Sequence, residues 1–125
     1  MQYSGNVLAF IGDAVLSLQV RQYLVEELGI TKTKKLQETS INFVSANAQA
    51  EFMNYLLESE VLTEAEKLAF RRGRNASSKS SAKNADIITY RIATGLEALW
   101  GYLHLSGQTE RLEELWKVYK KEVNL

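Results

Sequence analysis

VLAFIGDAVLSLQV, residues 7 to 20, is a run of aliphatic and small side chains broken by a single acid, Asp13. An unpaired carboxylate taken into a low-dielectric interior costs roughly several kcal/mol. Such an acid needs a cation, a water-lined cleft or a partner. Leu8, Ile11, Val15 and Leu18 recur at helical spacing, while Asn6, Phe10, Asp13, Ser17 and Leu24 form a mixed stripe. The pattern predicts a helix from about Asn6 to Leu28, stopped by Gly29. Being apolar on most faces, it is expected to be packed by several neighbours, with Asp13 directed into a gap between them.

The same anomaly recurs far along the chain. ADIITYRIATGLEALWGYLHL, residues 85 to 105, reads as a second buried helix with Gly107 as its stop. Asp86, Tyr90, Glu97 and His104 fall on one of its stripes at spacings of four or seven. Glu97 therefore repeats Asp13. If the two helices pack side by side, the acids form a hard-cation site suited to magnesium or manganese, since the chain has no Cys and one His. Structural ion pairs compete with that reading: Asp13 with Arg21, and Glu97 with Arg91 or Arg72. His104 lies about two turns from Glu97 and reads as a packing or solvated side chain.

No proline occurs, and no segment alternates with period two, so helix is the expectation throughout. A short helix is predicted from Thr31, capped by Thr31, with Lys32, Lys34 and Lys35 exposed and a break after Ser40. Another starts near Ser45 and carries Ala46, Ala50, Met53, Leu56 and Leu57 to Glu58. Thr63 followed by Glu66 is a capping box and starts a fourth helix, holding Leu68 and Phe70. It runs into RRGRNASSKSSAKN, residues 71 to 84, expected to be the one real loop. The last helix, about Thr109 to Val123, is amphipathic through Leu112, Leu115, Trp116 and Tyr119 and reads as a lid on the core.

A chain of 125 residues, 46% hydrophobic, fits one domain spanning 1–125. The absence of cysteine excludes disulfides and thiolate metal sites and suits the cytoplasm. The apolar run near the start is about half the length of a membrane span and has no basic leader, so neither a membrane helix nor a signal peptide is expected. Fifteen basic and fifteen acidic residues cancel, yet they are unevenly placed. Arg71, Arg72, Arg74, Lys79, Lys83 and Arg91 face the single acid Asp86 in that segment, whereas Glu residues gather at 58–66 and 110–114. A polarised surface is expected beneath the neutral total.

LAFIGDAVL at 8–16 resembles the signature helix of the ribonuclease III family, close to LEFLGDAVL, and ATGLEALWGYLHL at 93–105 resembles its second acidic helix. FVSANAQA at 43–50, FRRGRNA at 70–76 and KNADIITYRIATGLEAL at 83–99 are similar, in order and spacing, to its short bacterial branch, Mini-ribonuclease III, which lacks a double-stranded RNA-binding domain. The resemblance covers nearly the whole chain. It implies an all-α, ribonuclease III-like helical bundle and a dimeric endoribonuclease. On it, Asp13 and Glu97 match the catalytic, metal-binding acids. Two further family acids are replaced by Ala9 and Thr94, as the short branch implies.

The chemistry implied is magnesium-assisted hydrolysis of double-stranded RNA, with manganese as a substitute, leaving 5′-phosphate and 3′-hydroxyl ends. The implied substrate is precursor large-subunit ribosomal RNA. The implied dimer is symmetric, with contacts from the first helix. A duplex is held through phosphates and 2′-hydroxyls, for which Arg71, Arg72, Arg74, Asn75, Lys79, Lys83 and Arg91 are the candidates. The sequence leaves open whether a ribosomal protein assists. The alternative is a ribonuclease III-like scaffold that binds RNA without cutting it.

Overall fold

Three helices among the described residues start under a side chain that accepts from their first turn: Ser4, Ser45 and Thr63. The computed structural model describes residues 3–76 and 86–123. Helix α1 (Gly5–Gln22) begins under Ser4, whose hydroxyl accepts from the Val7 N–H, and its last turn widens into a π-helical turn, Tyr23–Glu27. The widening seats the Tyr23 ring edge-on against both Phe43 and Trp116. Gly29, at φ +68°, then reverses the chain as expected. Helix α2 spans Thr33–Val44, α3 Ala46–Glu58, α4 Glu64–Arg74, α5 Asp86–Leu105 and α6 Thr109–Glu122. No strand occurs among the described residues.

Three expectations are corrected. Thr31 is not a cap: α2 starts after Lys32, without a side-chain capping bond. Nor does α2 break after Ser40. It continues to Val44 because Phe43 is fully buried on its inner face, and Ser45 both ends it and caps α3. The basic segment is not all loop, since α4 carries Arg71, Arg72 and Arg74 in its last turn, where cations complement the helix dipole.

Helix α5 is the centre of the bundle, touching α1, α3, α4 and α6. Its contact with α1 is the most extensive, and two glycines make it close. Gly12 lies against the Glu97 backbone carbonyl and Gly101 against the Leu8 carbonyl, so a Cβ at either would overlap that oxygen. Trp100 Nε1 donates to Gln19 Oε1 at 2.7 Å across the same seam. Helix α6 closes the core from above. There Tyr119 stacks on Phe52 with centroids 4.1 Å apart, meets Trp100 edge-on, and donates its hydroxyl to the Phe43 carbonyl.

Helix α1 is covered on one side only. Leu8, Leu16, Val20 and Leu24 are buried, whereas Val7, Phe10 and Leu18 are exposed, Phe10 to 78%. The several neighbours expected for α1 are present, α2, α4 and α5, yet they leave this apolar side uncovered.

The capping box at Thr63 forms as predicted, with Glu66 accepting from the Thr63 N–H at 2.9 Å. Glu66 is 2% exposed and also takes Arg111 from α6, at 2.8 Å to Nε and 2.9 Å to Nη2. Burial pushes the Glu66 carboxyl up, but hydrogen bonds from Arg111 and the Thr63 backbone outweigh it and leave the group below its ordinary value. Arg111→Leu strands that carboxylate and is expected to cost about 3–5 kcal/mol at neutral pH. A depressed folded-state pKa means stability present above the unfolded value and lost as pH falls through the folded one. The Arg111→Leu deficit in urea denaturation should therefore shrink at acid pH.

Candidate active site

Asp13 follows Gly12, the residue through which α1 approaches the Glu97 backbone. The close crossing sets the two side chains beside each other, within hydrogen-bonding reach. Asp13 is exposed and Glu97 half-buried, so the pair opens to solvent at the α1–α5 seam. The sequence places Asp13 in an interior gap; the structure leaves it exposed at the edge of the α1–α5 seam. Burial first, and the neighbouring Asp13 second, raise the Glu97 pKa to about 8, while a hydrogen bond from Gln49 pulls the other way.

Neither acid pairs with Arg21 or Arg91 among the described ion pairs. Arg72 donates instead to the Tyr3 carbonyl at 3.0 Å, tying the end of α4 to the start of the chain. Two carboxylates that repel each other at the mouth of an apolar seam suit a hard divalent cation, which would relieve the repulsion and complete its shell with water or phosphate oxygens. Among the described residues no group of three or more His, Cys, Asp or Glu converges. Asp13 and Glu97 are a pair of neighbouring side chains that could hold such an ion. His104 stands exposed in the last turn of α5.

Of the basic candidates, Arg74, Asn75 and Arg91 meet in one cleft of about 360 Å³, shared with Asn54, Phe70 and Ile88. The Arg74 guanidinium lies over the Phe70 ring, 5.4 Å from its centroid, and its Nε donates to Asn75 Oδ1 at 3.1 Å. Helix α5 rises about 1.5 Å per residue, so Arg91 stands about 9 Å along the axis from Glu97. Arg71 is exposed at the end of α4. Lys79 and Lys83 lie outside the described residues.

Gln49 was not singled out by sequence. It sits 3% exposed on the inner face of α3 and its amide reaches Glu97. Its signal was the one that marks Glu97: a polar residue in an apolar stripe, here Ala46, Ala50, Met53 and Leu56.

Residues 6–108 match the Ribonuclease III domain, which makes the class that of the helical endonucleases. The chain is 51% identical to the Mini-ribonuclease 3 of Enterococcus faecalis over 121 residues, 95% of this chain and 91% of that one. It is 48% identical to the Mini-ribonuclease 3 of Streptococcus pneumoniae, over 95% and 94% of the two chains. A crystal structure of a Fusobacterium nucleatum protein superposes with a TM-score of 0.82 at 26% identity, over 96% of this chain and 93% of that one. The chain belongs to the ribonuclease III family, in its Mini-ribonuclease 3 branch. It is an endoribonuclease, a hydrolase of a family that acts on double-stranded RNA. No helix among the described residues is long and apolar enough to cross a membrane.

Proposed function

We propose that residues 1–125 act as one catalytic domain of a cytoplasmic, homodimeric, magnesium-dependent endoribonuclease that matures the large-subunit ribosomal RNA precursor. The observation that carries this reading is the meeting of Asp13 and Glu97 at the glycine-tight α1–α5 crossing. In the reaction, Asp13 and Glu97 supply the anionic oxygens that hold the cation. Magnesium, or manganese in its place, held by these two residues would supply a lowered pKa for water and positive charge beside the scissile phosphate. Glu97 must be ionised to serve, and the Gln49 amide favours that form.

Arg74, Asn75 and Arg91 hold backbone phosphates along the duplex, with Arg71, Lys79 and Lys83 extending the contact. Arg72 contributes by fixing the end of α4 and so the arginines beside it. The duplex is gripped by its backbone because the A-form major groove is closed to side chains.

The uncovered side of α1 supports the dimer. Val7, Phe10 and Leu18 present an apolar face on the helix that carries Asp13, so a twofold contact there would set two acid pairs near one duplex. Phe10→Asp is expected to yield monomers by light scattering at concentrations where the wild type is dimeric. Each monomer should keep its helicity, since Phe10 contributes little to the core.

The test of substrate is incubation of a precursor ribosomal RNA stem with the protein, with and without magnesium, followed by mapping of the ends. Paired, staggered cuts at one position, with 5′-phosphates, support the reading. Retained stems with tight binding would favour the scaffold alternative, and cuts scattered along any duplex would remove the ribosomal assignment.

A further inference from the structure

Two polar side chains are buried in the described core, Glu66 and Gln49. Glu66 is fully explained by architecture: it closes the α4 cap and receives Arg111. Gln49 belongs to no cap and no turn. It lies at the end of the first turn of α3, four residues after the capping Ser45, on the face that also buries Ala50, Phe52, Met53 and Leu56. A buried amide without a partner costs about 1–3 kcal/mol on the scale of protein substitutions, so an apolar residue would serve the packing better. Helix α3 packs directly on α5, and no buried side-chain nitrogen or oxygen among the described residues lacks a partner; the group that Gln49 meets there is the Glu97 carboxylate.

We propose that Gln49 is a positioning residue for the cation site: its buried amide fixes the Glu97 carboxylate facing Asp13 and thereby sets the affinity of the pair for a divalent ion. This rests on the reading of Asp13 and Glu97 as the metal-holding acids. Three helices then share the work, with α1 supplying Asp13, α5 supplying Glu97 and α3 the residue that orients it. A carboxylate half-buried beside a second one turns away from it when nothing holds it. With two protein carboxylates available, the site has little redundancy against such a rotation. Partners of this kind, one bond away from a ligand, typically alter metal affinity by about 10–100-fold when removed.

The test is direct binding of manganese to the full-length, metal-free protein, read by electron paramagnetic resonance. Wild type, Glu97→Ala, Gln49→Met and Gln49→Asn are compared. Methionine keeps the volume of Gln49 without its amide, and asparagine keeps the amide but draws it back by one methylene. The expected result is a dissociation constant raised by about 10–100-fold in both Gln49 variants. The affinity of both for duplex RNA in chelator should match the wild type, and Gln49→Met, which leaves no buried amide unpaired, should melt without metal as the wild type does, which a merely structural role would not allow. Gln49→Asn serves should Gln49→Met not fold. Manganese binding lost in Glu97→Ala but unchanged in the folded Gln49 variants overturns the role of Gln49 and leaves the acid pair standing. Binding unchanged in Glu97→Ala removes the site itself, and the role of Gln49 with it.

Discussion

Asp13→Asn is expected to abolish cleavage of duplex RNA while leaving folding and RNA binding intact. The substitution keeps shape and removes one of two carboxylates at the α1–α5 crossing. Losing one preorganised charge-stabilising group costs about 10²–10³ in rate, and here the cation also loses half of its protein charge. A drop of ~10³-fold or more is the expected scale. Asp13 is exposed, so melting should not fall. Without metal it should rise slightly, because Asn no longer raises the Glu97 pKa by charge. Single-turnover cleavage at saturating magnesium, beside filter binding in chelator, checks both halves.

Gly12→Val is expected to be the most damaging change to the fold. Its Cβ would overlap the Glu97 carbonyl oxygen and crowd the Gly101 backbone, and neither backbone can yield as a flexible side chain would. Overpacking a core typically costs about 1–3 kcal/mol, and a backbone clash at the principal helix contact belongs at or above the top of that range. A 3 kcal/mol loss corresponds to a melting temperature lower by roughly 10 °C in a domain of this size. The chemistry should suffer beyond the stability. Separating α1 from α5 draws Asp13 from Glu97, so any folded fraction should bind manganese weakly. Thermal melting, followed by manganese titration below the transition, separates the two effects. Gly29 is the contrast, since nothing lies within 4 Å of a Cβ there.

What the sequence revealed and what it concealed divide by range. The capping box at Thr63, the helix start near Ser45 and the stops at Gly29 and Gly107 are local devices, legible from a few neighbouring residues. The run of α2 to Val44 was hidden because Ser40 and Asn42 interrupt its apolar pattern, while the residue that secures it, Phe43, is buried by partners from distant helices. Arg71, Arg72 and Arg74 looked like loop because arginine beside glycine carries little local signal, yet Gly73 is where α4 closes on α5.

At the site, the sequence showed two acids in apolar helices but not their meeting. That meeting depends on Gly12 and Gly101, which read as small residues until the helices are superposed. The open side of α1 was foreshadowed by the resemblance, which implies a dimer contact from the first helix, and not by composition. Composition does not separate a face buried by its own chain from one left for another. Gln49 escaped notice because a glutamine among alanines is a weaker mark than a carboxylate among leucines.

The most direct measurement of the central claim is cleavage of one long RNA duplex by the chelator-treated protein as magnesium is restored, with wild type and Glu97→Gln run in parallel. The account predicts no cuts in chelator, wild-type cuts on both strands that rise with magnesium, and none from Glu97→Gln at any concentration. Wild-type rates from Glu97→Gln, or cutting that persists in chelator, would contradict it.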